Sequence, residues 1–282
     1  MSPTRYPSAA QEQEVAANSA ALARAYRAFK EPRRSSKRRR PRAPAESLAP
    51  ASAAALAAAG SSFDWRDKIA ISPPGDQKLC YACTGFAIAA SIEARQLIAH
   101  PGQPIAVSAG FIHTCIGHAD DSDAGKICNL GCDMYAVLGA LESNAYAQLS
   151  PGDYPFASAA CPAAQRLTTI QSFDPIVDRT TATNNLVSAG PLAADMYIWE
   201  DFFSYTTTRS PTYTPDSTTA GPYLHSVYVV GFEPTGWIVK NSMGTSWGDG
   251  TGFATIAYGA CGLIGEPAPP GKSPREAYAV TV

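Results

Sequence analysis

Two kinds of hydrophobic pattern divide the chain beyond residue 60. Long runs rich in Ala, Ile and Leu predict helices, CYACTGFAIAASIEARQLIAH at 80–100 and MYAVLGALESNAY at 134–146. Short runs rich in Val, Ile and aromatic residues predict strands, LAADMYIW, HSVYVVGFE, GWIVKNS, GFATIAYG and EAYAVTV. A loop rich in Asp, Gly and Cys joins the two helices. A helical part followed by a strand part predicts an α+β protein with two lobes and a cleft between them.

The first 60 residues have a different character. Residues 11–30 predict a helix that ends before Pro32, and the ten residues from Arg33 to Arg42 include seven Lys or Arg. A linker-like stretch rich in Ala, Pro and Ser completes the segment. Residues 1–60 contain 11 Lys or Arg and 4 Asp or Glu, a charge of +7. The chain's net charge of −2 therefore combines this segment with a remainder at −9.

These patterns predict a basic segment at 1–60 and one domain at 61–282. Within the domain we expect a helical lobe over about 61–180 and a β lobe over about 181–282. No apolar run reaches the ~18 residues that a membrane-spanning helix needs. The N-terminus also lacks the apolar core of a standard signal peptide.

The seven cysteines are an odd number, so pairing leaves one over, and such a residue can be a reactive thiol. Cys80 and Cys83 form a CxxC, which on its own could be a redox motif, half of a zinc site or a disulfide end beside a nucleophile. A zinc site would need more ligands, and Cys128, Cys132, His113 and His118 are the available ones. A thioredoxin-like role would need a preceding βαβ unit, which is absent. We expect no metal and no cofactor.

The residues around the CxxC resemble a known family. FDWRDKIAISPPGDQKLCYACTGFA is similar to the start of the mature domain of papain-family cysteine peptidases. GPYLHSVYVVGFEPTGWIVKNSMGTSWGDGTGFATIAYGACGLIGE resembles that family's His-bearing strand, its KNS-x-G-x-x-WG element and its CG-[LI] tail. His225 lies 142 residues after Cys83, within the ~130–150 typical of the family. The resemblance implies a two-lobe papain-like fold, with a helical left lobe, an antiparallel barrel-like right lobe and the active site between them.

The resemblance also implies roles for four residues. Cys83, at a predicted helix start, would be the nucleophile, with thiolate character from the helix dipole and a nearby imidazolium. His225 would be the general base and then the acid to the leaving amine, and Asn241 would orient its imidazole. Gln77 would donate to the oxyanion, with the Cys83 backbone N–H as second donor. Such a pair would hydrolyse peptide bonds through an acyl-enzyme.

Several positions depart from the family pattern or point to subsites. Tyr81, Ala82 and Thr84 replace residues that the family usually has around the second cysteine, and Met243 stands where a Trp usually covers the His–Asn hydrogen bond. Glu266, five residues after Cys261, occupies the place of a cathepsin B-like S2 carboxylate, which implies that P2 is apolar or Arg. Its alternative is a solvated surface residue. The substrate-binding residues expected from the resemblance are Tyr81, Leu130, Gly131, Leu224, Trp247 and Glu266.

By the same resemblance, Cys80 pairs with Cys128 and Cys115 with Cys161, which leaves Cys132 and Cys261 either paired with each other or as thiols. Disulfides indicate a secreted, periplasmic or cell-surface protein. The partners that we expect are peptide or protein substrates, taken by a monomer.

Residues 1–60 would be an autoinhibitory prosegment removed near Ala59–Phe63, held to the acidic domain by charge. The alternatives are that Arg33–Arg42 contacts an anionic partner such as nucleic acid or an anionic surface, or that the segment only solubilises the chain. For the domain, the alternatives to a peptidase are a papain-like acyltransferase or deamidase, and a degenerate binding protein.

Overall fold

The computed structural model describes residues 61–119, 127–143, 147–148, 161 and 167–282. The helix, the basic run and the linker predicted within residues 1–60 lie outside the described residues. In the part of the chain that is described, no helix is both long enough and apolar enough to cross a lipid bilayer.

Three α-helices of ten or more residues occur in the described ranges. They are α1 at Cys83–Ala99, α2 at Met134–Ser143 and α3 at Arg179–Ser188. The first two confirm the predicted helices. Helix α1 buries residues on several sides rather than along one stripe, because it packs between α2 and the sheet. Helix α3 was not predicted, since only Ala182 and Leu186 of its largely polar sequence are buried.

Short helical segments join these elements. One turn at Ala109–Phe111 continues into a π-helix at Ile112–Gly117, which reaches into the stretch predicted as a loop from His113 onward. Three 3₁₀ turns lie at Trp65–Asp67, Glu200–Ser204 and Leu263–Gly265.

The strands confirm the predicted β-rich second half. The five predicted runs form β5, β7, β8, β9 and β10 of the following set. The strands are β1 (Phe63–Asp64), β2 (Ala147–Gln148), β3 (Leu167–Thr168), β4 (Ser172–Ile176), β5 (Leu192–Ile198), β6 (Thr212–Tyr213), β7 (Tyr223–Glu233), β8 (Gly236–Lys240), β9 (Phe253–Ala257) and β10 (Ala277–Thr281).

Eight of these strands form one mixed, largely antiparallel sheet in the order β4-β10-β5-β7-β8-β9-β6, with β1 on β7. Only the β6–β9 pairing is parallel, and β2 and β3 form a separate ribbon. Strand β1 approaches β7 at Gly231, where a Cβ atom would lie 2.1 Å from the Phe63 carbonyl oxygen. The α+β class expected from the sequence is confirmed.

Strand β5 separates two cores and so fixes the geometry between the lobes. Its side chains alternate, as a strand requires. Leu192, Ala194 and Met196 pack in the core of the β lobe, whereas Ala193 packs in the core formed by α1 and α2. Strand β7 pairs with β5 in antiparallel register, with Met196 opposite His225. The cross-strand partners Met196 and His225 therefore share the face of the β lobe core, and Ser226, the next residue, points to the face on which α1 lies.

Candidate active site

A histidine and an asparagine form a buried polar pair where strands β7 and β8 lie side by side. His225 is the third residue of β7, and Asn241 follows directly after β8, which pairs with β7. The His225 Nε2–H donates to the Asn241 Oδ1 at 2.8 Å, and both residues are almost completely buried. Because the amide oxygen can only accept, the hydrogen bond fixes the tautomer with its proton on Nε2. The lone pair of the neutral imidazole then lies on Nδ1.

Cys83 is the first residue of α1, and its side chain is 6% exposed. The backbone N–H of Ser226, the residue after His225, faces its sulfur and favours the thiolate. The Ser226 hydroxyl also lies 3.0 Å from the hydroxyl of Thr84, the second residue of α1. The helix start and the beginning of β7 are thus joined at the cysteine. Positive potential from the unpaired N–H groups of the first helical turn also favours an anion at this position.

Burial opposes charge on both groups. It raises the pKa of the Cys83 thiol, an effect that the Ser226 hydrogen bonds reduce and the carboxylate of Asp195 increases. Burial lowers the pKa of His225 to about 4, although the bond to Asn241 raises it. Burial therefore acts against the thiolate character that the resemblance implies for Cys83. A low dielectric environment favours the neutral thiol–imidazole form over two separated charges.

Gln77 is hydrogen-bonded to Ser242, the residue after Asn241. Its Oε1 accepts from the Ser242 hydroxyl at 2.5 Å, and its backbone N–H donates to the Ser242 carbonyl at 2.8 Å. One hydrogen of its Nε2 donates to the Cys80 carbonyl at 2.8 Å. Gly244 N–H also donates to the Gly75 carbonyl, so backbone hydrogen bonds join the segment before α1 to the segment after β8. The Gln77 amide therefore has one fixed orientation close to the start of α1.

A buried polar network that sequence reasoning missed lies beside Cys83. The Ser226 hydroxyl donates to Asp195 Oδ1 at 2.7 Å and lies 3.0 Å from the Thr84 hydroxyl. Arg275 reaches the other Asp195 oxygen at 3.5 Å. The signal was present in the sequence, because Asp195 interrupts the apolar run LAADMYIW, and a charge in a fully buried strand needs partners.

Aromatic rings cover the imidazole. Phe202 packs edge-on to His225 with ring centroids 5.5 Å apart, and its other side packs on Trp247 at 4.8 Å. Trp247 is 2% exposed and donates its Nε1–H to the Phe202 carbonyl. Met243 is only partly buried against the same core. Phe202 thus supplies apolar cover at a site where the sequence has Met243 in place of a Trp.

The expected subsite residues differ in exposure. Leu130 is exposed at 40%, and Gly131 and Leu224 are partly exposed. Tyr81 is buried and packs within the core of the β lobe, while its N–H donates to the Cys128 carbonyl. Leu130, Gly131 and Leu224 are thus accessible to a ligand, whereas Tyr81 joins the two lobes.

Glu266 is not a solvated surface residue and not an unoccupied carboxylate. It is 7% exposed, and its Oε1 accepts from the Arg179 Nη2 and Nε at 2.6 and 3.1 Å. Its Oε2 accepts from the Gly259 N–H at 2.7 Å, and the Arg179 guanidinium stacks on the Tyr258 ring at 3.6 Å. The carboxylate expected to receive a substrate arginine therefore already binds an arginine of this chain.

The cysteines are arranged as the resemblance implied. Disulfides join Cys80 to Cys128 and Cys115 to Cys161, and the other three cysteines are outside disulfides. Cys132 and Cys261 are therefore not paired with each other. His113 Nε2 lies 3.6 Å from Cys80 Sγ. Because that sulfur is bonded to Cys128, it forms no thiolate, and Cys83 is the cysteine of the CxxC that lies outside a disulfide.

A thiol at a helix start and an imidazole that an amide orients are residue types found together in enzymes that transfer acyl groups through a cysteine. The sequence matches the papain family of cysteine proteases over residues 59–269. The chain belongs to this family.

Curated relatives and solved structures agree with the assignment. The chain is 28% identical to cysteine proteinase 15A of Pisum sativum and 25% identical to cathepsin O of Mus musculus. Each match covers 71% of this chain, and the chain spans 59% and 64% of those relatives. Its fold is similar to that of the ragweed pollen cysteine protease Amb a 11 in its proform, with 21% identity and a TM-score of 0.61 over 79% of this chain and 65% of that one. The Carica candamarcensis protease CMS1MS2 in complex with E-64 gives 17% identity and a TM-score of 0.56 over 78% of this chain and 98% of that one.

Proposed function

We propose that the chain is a cysteine peptidase in which Cys83 and His225 carry the reaction. The observation that supports this most is the buried His225–Asn241 hydrogen bond. Ser226, the residue after His225, lies next to Cys83 and contacts Thr84, the residue after Cys83. His225 Nδ1 takes the thiol proton as the sulfur attacks the peptide carbonyl. The C–N bond then breaks, and the imidazolium protonates the leaving amine. Water hydrolyses the thioester by the same base and regenerates the thiol.

The neutral resting pair sets how charge develops in this scheme. Proton transfer from Cys83 to His225 accompanies attack, so the two charges arise together and attract each other in a low dielectric environment. Ser226 supports the developing thiolate, and Asn241 supports the developing imidazolium. Gln77, fixed by Ser242, would give its second Nε2 hydrogen to the oxyanion.

The subsite geometry supports a preference for apolar P2 side chains. An arginine at P2 must displace Arg179 from Glu266, which leaves that charge to find solvent. The Arg179 side chain is 48% exposed, so it can swing outward. We therefore propose that Arg at P2 is accepted with lower efficiency than Phe or Leu.

Removing Arg179 tests this assignment. Arg179→Ala should raise the ratio of Arg-P2 to Phe-P2 turnover, since it leaves the Glu266 carboxylate available. Glu266→Gln in the same background should abolish the gain, and Arg209→Ala is a control that removes a positive charge elsewhere in the β lobe. An unchanged ratio in Arg179→Ala would place Glu266 outside the P2 subsite.

Residues 1–60 are proposed to hold the enzyme inactive. The proposal is supported by opposite net charges, +7 for residues 1–60 and −9 for residues 61–282. It is also supported by similarity to protease proforms, including digestive procathepsin L 3 of Tenebrio molitor. Deletion of residues 1–60 should raise peptide turnover, and salt should do so partially in the full chain. Equal turnover with and without the segment would contradict the blocking role.

Two disulfides support a site of action in an oxidising compartment. We propose that the protein works outside the cytoplasm.

Covalent labelling tests the peptidase directly. An epoxide inactivator of thiol proteases such as E-64 should add once to the chain without residues 1–60, at Cys83, with loss of peptide turnover. Cys83→Ala should not be labelled, and Cys261→Ser should be labelled like the parent. Labelling of Cys83 without peptide turnover would favour an acyltransferase or deamidase. The absence of both labelling and peptide turnover would favour a degenerate binding protein.

A further inference from the structure

Outside the proposed active site, three potential metal ligands lie together in the helical lobe. One nitrogen each of His113 and His118 and the Cys132 sulfur lie within 4.8 Å of one another. The His113 Nδ1 is 3.2 Å from the Cys132 Sγ. The centroids of the two imidazole rings are also 4.8 Å apart, and the ring planes are inclined by 74°. The peptidase mechanism uses none of the three.

Backbone carbonyls orient both imidazoles in the same way. His113 Nε2–H donates to the Ile127 carbonyl at 3.1 Å, and His118 Nε2–H donates to the Leu130 carbonyl at 3.1 Å. A carbonyl can only accept, so each ring carries its proton on Nε2 and its lone pair on Nδ1. Metal-bound histidines in proteins nearly always have this outer hydrogen bond, which fixes the ring and the tautomer.

The fold also fixes the sulfur. The cluster includes residues from the π-helix and from the segment before α2, which the Cys80–Cys128 disulfide anchors to the start of α1. Gly117 lies against Cys132 so closely that a Cβ atom there would be 2.2 Å from its sulfur. The two histidines are buried, whereas Cys132 is partly exposed and gives solvent access.

We propose that His113, His118 and Cys132 form a binding site for a thiophilic divalent cation, with zinc as its natural occupant. Two imidazole nitrogens and one thiolate are ligands that Zn²⁺ prefers, and three protein ligands leave the fourth tetrahedral position to water or a substrate group. Ligand atoms in such a site are about 3.3–3.7 Å apart. The widest pair here must therefore close by about 1 Å. On binding, the Cys132 thiol gives its proton to solvent and a Zn–S bond forms. This differs from the sequence expectation of no metal.

The site lies close to the substrate cleft. The Cys132 carbonyl accepts from the Thr84 hydroxyl at 3.1 Å, and Thr84 is the residue after Cys83. Cys132 also directly follows Leu130 and Gly131, the proposed substrate-binding segment. An ion here would hold that segment in place and present its open position near the cleft.

Cobalt and zinc titrations of the full chain with Cys83→Ala test the proposal, because that change removes the other cysteine–histidine site. Without thiol reductants, Co²⁺ should bind once and give a thiolate-to-cobalt charge-transfer band with tetrahedral d–d bands. Zn²⁺ should displace it. Cys132→Ser should remove the charge-transfer band, and His118→Gln should weaken Zn²⁺ binding in calorimetry by more than about 100-fold.

Matched controls are a second buried thiol and an exposed histidine. Cys261→Ser and His100→Gln should bind both ions like the parent. Cys132→Ser and His118→Gln are judged separately, each after its two disulfides and its circular dichroism spectrum match the parent. The proposal is overturned if the Cys83→Ala chain binds no ion, or if binding survives both changes. Since Cys83→Ala has no peptidase activity by design, these outcomes are independent of the proposed reaction.

Discussion

The proposed active site at Cys83 and the cluster of two histidines at Cys132 are built differently. At Cys83, one imidazole is oriented by a side-chain amide, and the sulfur begins a helix. At Cys132, two imidazoles are oriented by main-chain carbonyls, and the sulfur lies in a loop. An amide partner supports a ring that must gain and lose a proton, because it can stabilise the imidazolium. Carbonyls that hold two rings toward one sulfur suit a fixed set of ligands. The surroundings, not the residue types, separate the two roles.

The largest expected difference between the two places is in peptide turnover. Cys83→Ala should lower kcat/KM by at least about 10⁴-fold, because no other group can form the acyl-enzyme. Cys132→Ser should stay within about tenfold, since it acts only through the neighbouring loop. Turnover by both variants and by Cys261→Ser is measured on one fluorogenic peptide. A larger loss in Cys132→Ser than in Cys83→Ala would reverse the assignment.

The amide orientation can be broken next. Asn241→Ala should lower kcat by about 10²-fold with little change in KM, because the imidazole loses its orientation while the subsites stay intact. The acid limb of the pH–rate profile should also move to lower pH, since the bond to Asn241 raises the pKa of His225. A rise in KM alone would indicate a binding role for Asn241.

Acid stability should report the buried imidazole. With a pKa of about 4 in the folded protein and 6.5 unfolded, His225 lets the unfolded state bind more protons between these pH values. The free energy of unfolding should therefore fall as pH falls from about 6.5 to 4, by at most about 3 kcal/mol. Urea denaturation of His225→Gln should show a shallower decline over this window than the parent. Equal slopes would contradict a neutral, buried His225.

The smallest expected effect concerns Asp195. Its carboxylate raises the pKa of the Cys83 thiol, so Asp195→Asn should move the pH midpoint of Cys83 alkylation to lower values. Ser226→Ala removes the hydroxyl, which lowers the thiol pKa, and should move the midpoint the other way. Mass spectrometry of alkylated Cys83 across pH gives both values. Asp133→Asn is a surface control that should leave the midpoint close to the parent's.

Sequence patterns predicted the main elements because burial and periodicity agree there. Strands β5, β7, β8, β9 and β10 have the Val, Ile and aromatic content that a buried sheet needs, and α1 has a long apolar run. Helix α3 was missed because it is held by the Asp178 cap and by packing of Leu186, neither of which gives an apolar period.

Local motifs placed the proposed active-site residues, but long-range pairing decided their surroundings. Glu266 binds Arg179, which is 87 residues away in the sequence, and Phe202 packs on the imidazole of His225. The thiol pKa depends on burial, which no motif encodes. The cluster of His113, His118 and Cys132 required the register of the π-helix against the segment before α2.

The backbone hydrogen bonds that join residues 75–77 to residues 242–244 have a consequence for local unfolding. The Gln77 and Gly244 backbone N–H groups both donate between these two segments, to Ser242 and Gly75. The proposed oxyanion donor and the residue that orients the imidazole therefore belong to one cooperative unit. Amide hydrogen exchange should protect Gln77 and Gly244 to a similar degree, so the two sides of the proposed site open together or remain closed together.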